Sequence, residues 1–324
     1  MTQVSGREVT EMAGMCLGFD TSNYTTSAAV FDGSVGENRG RLLTVPEGTL
    51  GLRQSEAVFQ HVKRLHLMTE ALRADGAIGE IRAVGASTQP REVEGSYMPC
   101  FLVGEDQGRS IAAALGVPFY PCSHQQGHIA AAAWSAGRED LMDQPHLAWH
   151  LSGGTTELLV VHPMGHTVTA QVIGGTSDIS AGQLVDRIGV MLGLDFPAGK
   201  AMDVLSRDSQ QDKHFVVKTK EGMFSLSGME NKIRGMAESG AAPADVARFT
   251  FETLASVLAR TTAWAQKKYG NLPVLCSGGV ASNSLLRSRL EPLGAIFAPP
   301  QYSTDNALGV AILAHRALER GVQE

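Results

Sequence analysis

The sequence predicts an α/β fold in which one hairpin plan occurs twice. Three observations point there. Short apolar strands alternate with amphipathic helices along the chain from Leu17 onward, which is the signature of layered α/β domains. Two hairpins of the same plan occur, beginning at Leu17 and at Leu147, 130 residues apart. Glycine is enriched at 36 residues, against a usual share of roughly 7%, which suits tight turns and close backbone approaches. From the repetition alone, two unrelated hairpins in one α/β protein remain an equal reading.

The elements follow in order. Residues 17–20 form an apolar strand, Thr21-Ser22-Asn23 a turn, and residues 26–31 the returning strand. Val58, Val62, Leu65 and Met68 have helical spacing within 55–72. Residues 109–115 read as a helix closed by Gly116. Ser123 can cap a helix that runs on into Ile129-Ala-Ala-Ala-Ala-Trp134. The second hairpin comprises 147–151, the tip Ser152-Gly153-Gly154 and 157–161, with a third strand near 167–173. Ser177-Asp178 can cap a helix that passes Asp186 and stops before Gly193 and Pro197. Residues 245–269 form a long helix ended by Gly270 and Pro273. Residues 274–276 read as a buried strand entering Ser277-Gly278-Gly279, with a helix from Asn283. A last helix is expected over 305–318, with Thr304 as its cap. No low-complexity linker separates the parts. The expected organisation is an extension over 1–14, a first lobe over 15–120 completed by a final helix at 305–324, and a second lobe over 121–304.

Composition excludes several classes. The longest apolar stretches, 129–134 and 307–314, fall short of the roughly 18 residues that span a bilayer. The first 14 residues carry Arg7, Glu8 and Glu11 and lack the apolar core of a signal peptide; Met15 reads as an alternative start. Four scattered cysteines without a C-x-x-C pair argue against a zinc knuckle or a disulfide framework, so a cytoplasmic location is the simplest. Net charge is −6, not the basic bias usual in nucleic-acid binders. The one basic cluster, Lys213, Lys218, Lys220, Lys232 and Arg234, reads on composition as a solvated face.

Three histidine pairs have i, i+4 spacing: His124/His128, His146/His150 and His162/His166. Only a helix puts such a pair on one face. Pro163 and Gly165 interrupt the last pair, and His150 sits in a strand, where four residues span about 13 Å. On spacing alone the surviving pair is either half a metal site or a polar helix start. Gln125 stands where the Glu of H-E-x-x-H would be, which argues against a metallopeptidase. The two Ser-Gly-Gly loops, with Gly174-Gly175 and Ala198-Gly199, suit a phosphate cradle and plain tight turns alike.

Motifs spread along the chain carry a resemblance. They are LGFDTS at 17–22, SHQQGH at 123–128, LSGGTTE at 151–157, the run from Ser177 through VDR at 185–187 to GLDFPAG at 193–199, FSLSG at 224–228, SGGVASNSLLRSRL at 277–290 and STDNA at 303–307. Together they resemble the TsaD family, transferases that make threonylcarbamoyladenosine in tRNA. The resemblance implies duplicated ribonuclease-H-like lobes of the actin-like ATPase and sugar kinase superfamily. It also implies metal ligands at His124, His128 and Asp305, with iron or zinc equally suited. The implied adenylate pocket comprises Leu151, Ser152, Gly153, Gly154, Thr155, Asp186, Gly199 and Asn283, with Asp186 on the ribose and Asn283 near the adenosine. The implied reaction moves a threonylcarbamoyl group from an acyl-adenylate to the N6 amine of adenosine in tRNA and releases AMP. Implied partners are tRNA and small proteins of that machinery, with a homodimer left open and no membrane.

The departures fall in the loops. Asn23, Tyr24 and Thr25 replace Cys-Asp-Glu of the family's first loop, and Gln89 to Gly95 replaces a Gly-Pro-Gly loop. Thr155 and Glu157 stand for His and Gln, Ile179 for an Asp, Lys200 for a Pro and Glu230 for a Lys. A paralogue with another acceptor is therefore an alternative, either a carbamoyltransferase acting on a small molecule or a non-catalytic nucleotide-binding partner. Asp20 is the nearest candidate general base by position, and reads equally as a polar residue satisfied in its turn.

Overall fold

The computed structural model describes residues 14–45, 52–302 and 306–322. The chain divides into two compact units, one within Met1–Gly127 and Asp305–Glu324, the other within His128–Thr304. The extension expected over 1–14 lies, except for Gly14, outside the described residues.

In the first unit the elements are β1 (Met15–Thr21), β2 (Thr25–Phe31), β3 (Gly36–Leu42), α1 (Gln54–Ala74), β4 (Ile81–Gln89), α2 (Phe101–Leu115) and β5 (Phe119–Ser123), with α3 (His124–Ser135) starting there. Their sheet has the order β3-β2-β1-β4-β5. β1 pairs antiparallel with β2 and parallel with β4. Because β1 and β2 are covered on both faces, they read as continuous apolar and small residues rather than as an alternation. The edge strand β3 instead carries Glu37, Arg39 and Arg41, charges that discourage further pairing.

The second unit holds β6 (His146–Leu151), β7 (Thr156–Met164), β8 (Thr167–Thr176), α4 (Ala181–Met191), α5 (Gly199–Ser206), β9 (Thr219–Lys220), β10 (Met223–Phe224), α6 (Ser227–Glu238), α7 (Pro243–Tyr269), β11 (Val274–Ser277), α8 (Ser284–Leu290) and β12 (Ala295–Phe297). Its sheet order is β12-β11-β6-β7-β8-β10-β9. Read from β8 to β12, that order repeats the first sheet strand for strand. The sense repeats too, since β6 is antiparallel to β7 and parallel to β11, and β11 is parallel to β12. The final helix, α9 (Leu308–Glu319), belongs to the first unit. It lies so close on β1 that a Cβ at Gly18 would stand 2.6 Å from the Ala311 nitrogen. Among the described residues no helix is long and apolar enough to cross a membrane.

Four local expectations need correction. The helix expected from residue 109 begins at Phe101, because Gly104 and Gly108 occupy its buried face and break the apolar pattern. Val62 is 60% exposed; the inward stripe of α1 is Ala57, His61, Leu65, Met68 and Leu72, so a histidine takes the buried position. Ser180, not Ser177-Asp178, caps α4, in a reciprocal capping box with Gln183. The final helix begins at Leu308, while Thr304 and Asp305 lie outside the described residues.

His61 has a consequence for pH. Its Nε2 donates to the Ser22 carbonyl at 2.9 Å, so its Nδ1 accepts from the Thr26 hydroxyl at 2.7 Å. Burial lowers its pKa to about 4, the Ser22 carbonyl opposing the shift. A folded-state value below the free imidazole value of about 6.5 means that protonation favours unfolding. The stability tied to the neutral ring is complete above about pH 6.5 and is lost as pH falls toward 4, with an upper bound of roughly 3 kcal/mol. Urea midpoints measured from pH 7 to 4.5 should fall for the wild type and fall less for His61→Gln. Parallel curves would assign the acid sensitivity elsewhere.

Candidate nucleotide pocket and histidine cluster

A cavity of about 700 Å3 in the second unit lies among the loop after β6, the helices α4 and α5, and the loop after β11. Gly153, Asp186, Gly199 and Asn283, all implicated by the sequence, line it together. Leu151, Ser152, Gly154 and Thr155 are not part of the lining. Leu151 is buried in the core, and Ser152 closes the tip of the turn. Its N–H donates to the Thr155 carbonyl at 2.8 Å, and its hydroxyl accepts from Thr155 N–H at 3.0 Å.

Glycine has two uses around this cavity. At Gly182 a Cβ would stand 2.5 Å from the Ser152 oxygen, and at Gly278, where φ is +97°, it would stand 2.1 Å from the Leu151 oxygen. These two glycines let the first turn of α4 and the end of β11 press against the β6–β7 loop. The Ser180 hydroxyl adds a bond to the Gly153 carbonyl at 2.6 Å. At Gly153, Gly199 and Gly279 a Cβ would instead meet nothing within 4 Å. Those three keep the rim low where a ligand backbone or phosphate could approach.

The polar lining comes chiefly from α4, α5 and the start of α8. Asp186 holds the loop entering α5, its Oδ1 accepting from Ala198 N–H at 2.8 Å. Asn283 is 5% exposed and fully engaged. Its Oδ1 caps α8 through Leu285 and Leu286 N–H, and its Nδ2 donates to Asp203. It therefore builds the cavity wall. Asp203 also accepts from Ser284 and from the Arg207 guanidinium. Asp203 and Arg207 were not singled out from the sequence, and Lys200 only as a departure from the family pattern. Their signal was available, since 200, 203, 204 and 207 are one helical face beginning just after Gly199.

Asp178, close by, is a latch. It accepts from the Ser225 and Ser227 hydroxyls and from Leu226 and Ser227 N–H. Although burial works against ionisation, these bonds hold its carboxyl well below the usual range. Ile179, the departure beside it, packs on the apolar core.

His124 opens α3 and His128 lies one turn later. Ser123 and Gln126 exchange bonds in a capping box, Gln126 N–H to the Ser123 hydroxyl and Ser123 N–H to Gln126 Oε1. In the first unit, His124 Nδ1 lies 2.9 Å from Asp20 Oδ1, which also accepts from the Ser87 hydroxyl. Asp20 is wholly buried, and its Oδ2 has no partner among the described residues. A carboxylate facing Nδ1 favours the imidazole tautomer that carries its proton there and its lone pair on Nε2. That tautomer, braced by a carboxylate, is the one a metal-binding imidazole adopts, so His124 taken alone has the chemistry of a ligand. In the second unit, His150 lies beside His128, with ring centroids 5.3 Å apart. Residue spacing separated His150 from His146 but gave no hint of a neighbour on another element. Asp305 lies outside the described residues. Among the described residues no three His, Cys, Asp or Glu side chains gather as a metal cluster.

Two units with one strand order, the second carrying a glycine-rimmed cavity beside its hairpin tip, define an actin-like ATPase or sugar kinase fold. HypF from T. kodakarensis has a TM-score of 0.62 at 16% identity; the match covers 94% of this chain but only 48% of HypF, so the chain spans about half its length. An activator of 2-hydroxyisocaproyl-CoA dehydratase from Clostridium difficile, solved with bound ADPNP, has a TM-score of 0.52 at 13% identity, over 96% of this chain and 98% of the activator. The chain belongs to the TsaD family, described as tRNA N6-adenosine threonylcarbamoyltransferase, whose model matches residues 48–312. A relative bearing that description in Thermus thermophilus is 32% identical over 314 residues, covering 94% of this chain and 93% of its own. Another, in Chloroherpeton thalassium, is 30% identical over 337 residues, covering 95% and 93%. The protein is accordingly a transferase.

Proposed function

We propose that the protein moves a threonylcarbamoyl group from its acyl-adenylate to the N6 amine of an adenosine in tRNA. The amine nitrogen bonds to the acyl carbon, the bond from that carbon to the phosphate oxygen breaks, AMP departs and the amine gives up a proton. The observation carrying this reading is a family match over 48–312 that includes every residue lining the cavity.

In this reading the low rim at Gly153 and Gly279 receives the leaving phosphate, and Lys200 balances its charge. Asp186 has one oxygen on Ala198 and turns the other to the ribose. His124, His128 and Asp305 would hold a divalent ion, iron or zinc, which would polarise the acyl carbonyl. His150, at 5.3 Å from His128, keeps that ring in place or adds a donor. Asp20 acts as a positioning residue for His124, a role its burial suits better than that of a base exchanging protons with solvent.

The test is to incubate the protein with labelled threonylcarbamoyl-adenylate, unmodified tRNA and the usual partner proteins, and to assay digested tRNA by mass spectrometry. The modified nucleoside is expected. Release of AMP without modified tRNA would move the acceptor to a small molecule and overturn the tRNA assignment. Failure to bind nucleotide would leave a non-catalytic partner protein.

A further inference from the structure

A second cavity in the same unit, about 830 Å3, shares Gly153 and Asp186 with the first. Its other walls include the apolar Val190, Met191 and Phe196 and the charged Arg187, Glu230 and Arg234. Phe196 is 75% exposed, an aromatic ring left in water at the edge of a concave site. Glu230 bridges the two arginines, Oε2 to Arg187 Nη1 at 3.0 Å and Oε1 to Arg234 Nη2 at 3.3 Å. Each guanidinium has five N–H donors, and among the described residues only one of each is used. The carboxylate thus holds both forks in place while most of their donors stay available. Both arginine side chains are about half exposed, at 49% and 46%.

The charge balance limits what these donors can serve. Two arginines face Glu230 and Asp186, so the cavity is formally neutral, which disfavours a phosphate. An uncharged planar ring with an acceptor edge suits it better, with one face on an aromatic side chain and its edge toward oriented N–H groups. Unpaired bases in RNA are recognised in this way, by stacking and by donors to their edges.

We propose that this second cavity receives an unpaired nucleobase of the RNA acceptor, stacked on Phe196 with its acceptor edge toward Arg187 and Arg234. The inference rests on the tRNA reading above and adds the place where the RNA is gripped. Glu230, where the family usually has Lys, becomes the residue that makes this a base site rather than a phosphate site.

Binding of fluorescent unmodified tRNA, measured by anisotropy across a range of salt, tests this with wild type, Phe196→Ala, Phe196→Trp and Arg234→Ala. AMP binding is measured in parallel to verify the neighbouring pocket. Phe196→Ala is expected to weaken tRNA binding about tenfold, with AMP binding kept and Phe196→Trp restoring the affinity. Arg234→Ala should weaken binding without changing the slope of log affinity against log salt. A slope lowered by about one would place a phosphate on Arg234 and overturn the proposal. So would tRNA affinity indifferent to Phe196, with the tRNA reading intact. A wild-type protein that binds neither tRNA nor short single-stranded RNA would overturn both readings.

Discussion

His124→Ala is expected to lower the rate of acyl transfer by about three orders of magnitude. A bound ion contributes several kcal/mol to the transition state, and each 1.4 kcal/mol is tenfold in rate. Asp20→Asn should cost less, about 10- to 100-fold in metal affinity or rate. It leaves the ring present but exchanges the carboxylate facing Nδ1 for an uncharged amide, which can accept from Nδ1 only weakly or donate to it and so no longer fixes the proton there. The two variants are separated by metal content after dialysis, by initial rate, and by the imidazole nitrogen shifts that report the tautomer. A His124→Ala protein with wild-type metal content would remove this histidine from the site. An Asp20→Asn protein with unchanged tautomer and metal affinity would return Asp20 to a purely structural role.

Gly278→Ala should be among the most destabilising single changes in the second unit. The backbone at φ +97°, ψ 156° lies in a region essentially reserved for glycine, at a cost of about 1–3 kcal/mol for any other residue. The added Cβ would also stand 2.1 Å from a backbone oxygen of Leu151, which has no rotamer by which to yield. The neighbouring Gly279→Ala provides the contrast, because its Cβ would meet nothing within 4 Å. It should fold like the wild type while crowding the cavity rim, so thermal midpoint and AMP affinity should respond separately in the two variants. Equal midpoints would mean that the contact between β11 and the β6–β7 loop relaxes without cost.

These effects also show what the sequence could and could not convey. The two hairpins were legible from local signals, apolar runs ending in small polar tips. The strand-for-strand match of the two sheets was not, because β4, β5, β11 and β12 join by pairing across long intervals. Gly104 and Gly108 hid half of α2, since a helix packed through glycine shows no apolar stripe. In the cavity, Gly153 and Asp186 were found through motifs. Asp203 and Arg207 were missed, and Lys200 was noticed only as a departure, because their place in the lining depends on which face of α5 turns inward. Asn283 lines the cavity, but its amide is consumed in capping α8 and holding Asp203, a difference only three-dimensional bonding reveals. His150 belongs to the same class, a strand residue whose neighbour lies on a helix.

The return of α9 to the first unit bears on the order in which the protein can be made. Residues 128–304 are spliced into that unit, so a ribosome finishes the second sheet before Leu308–Glu319 emerges. Until then the face of β1 around Gly18, which α9 covers, stays open with its apolar neighbours in water. The strands synthesised first are thus the last to be sealed. The nascent chain carries an unfinished unit through most of its synthesis, a condition that favours misassembly and one that a chaperone holding exposed apolar surface would relieve.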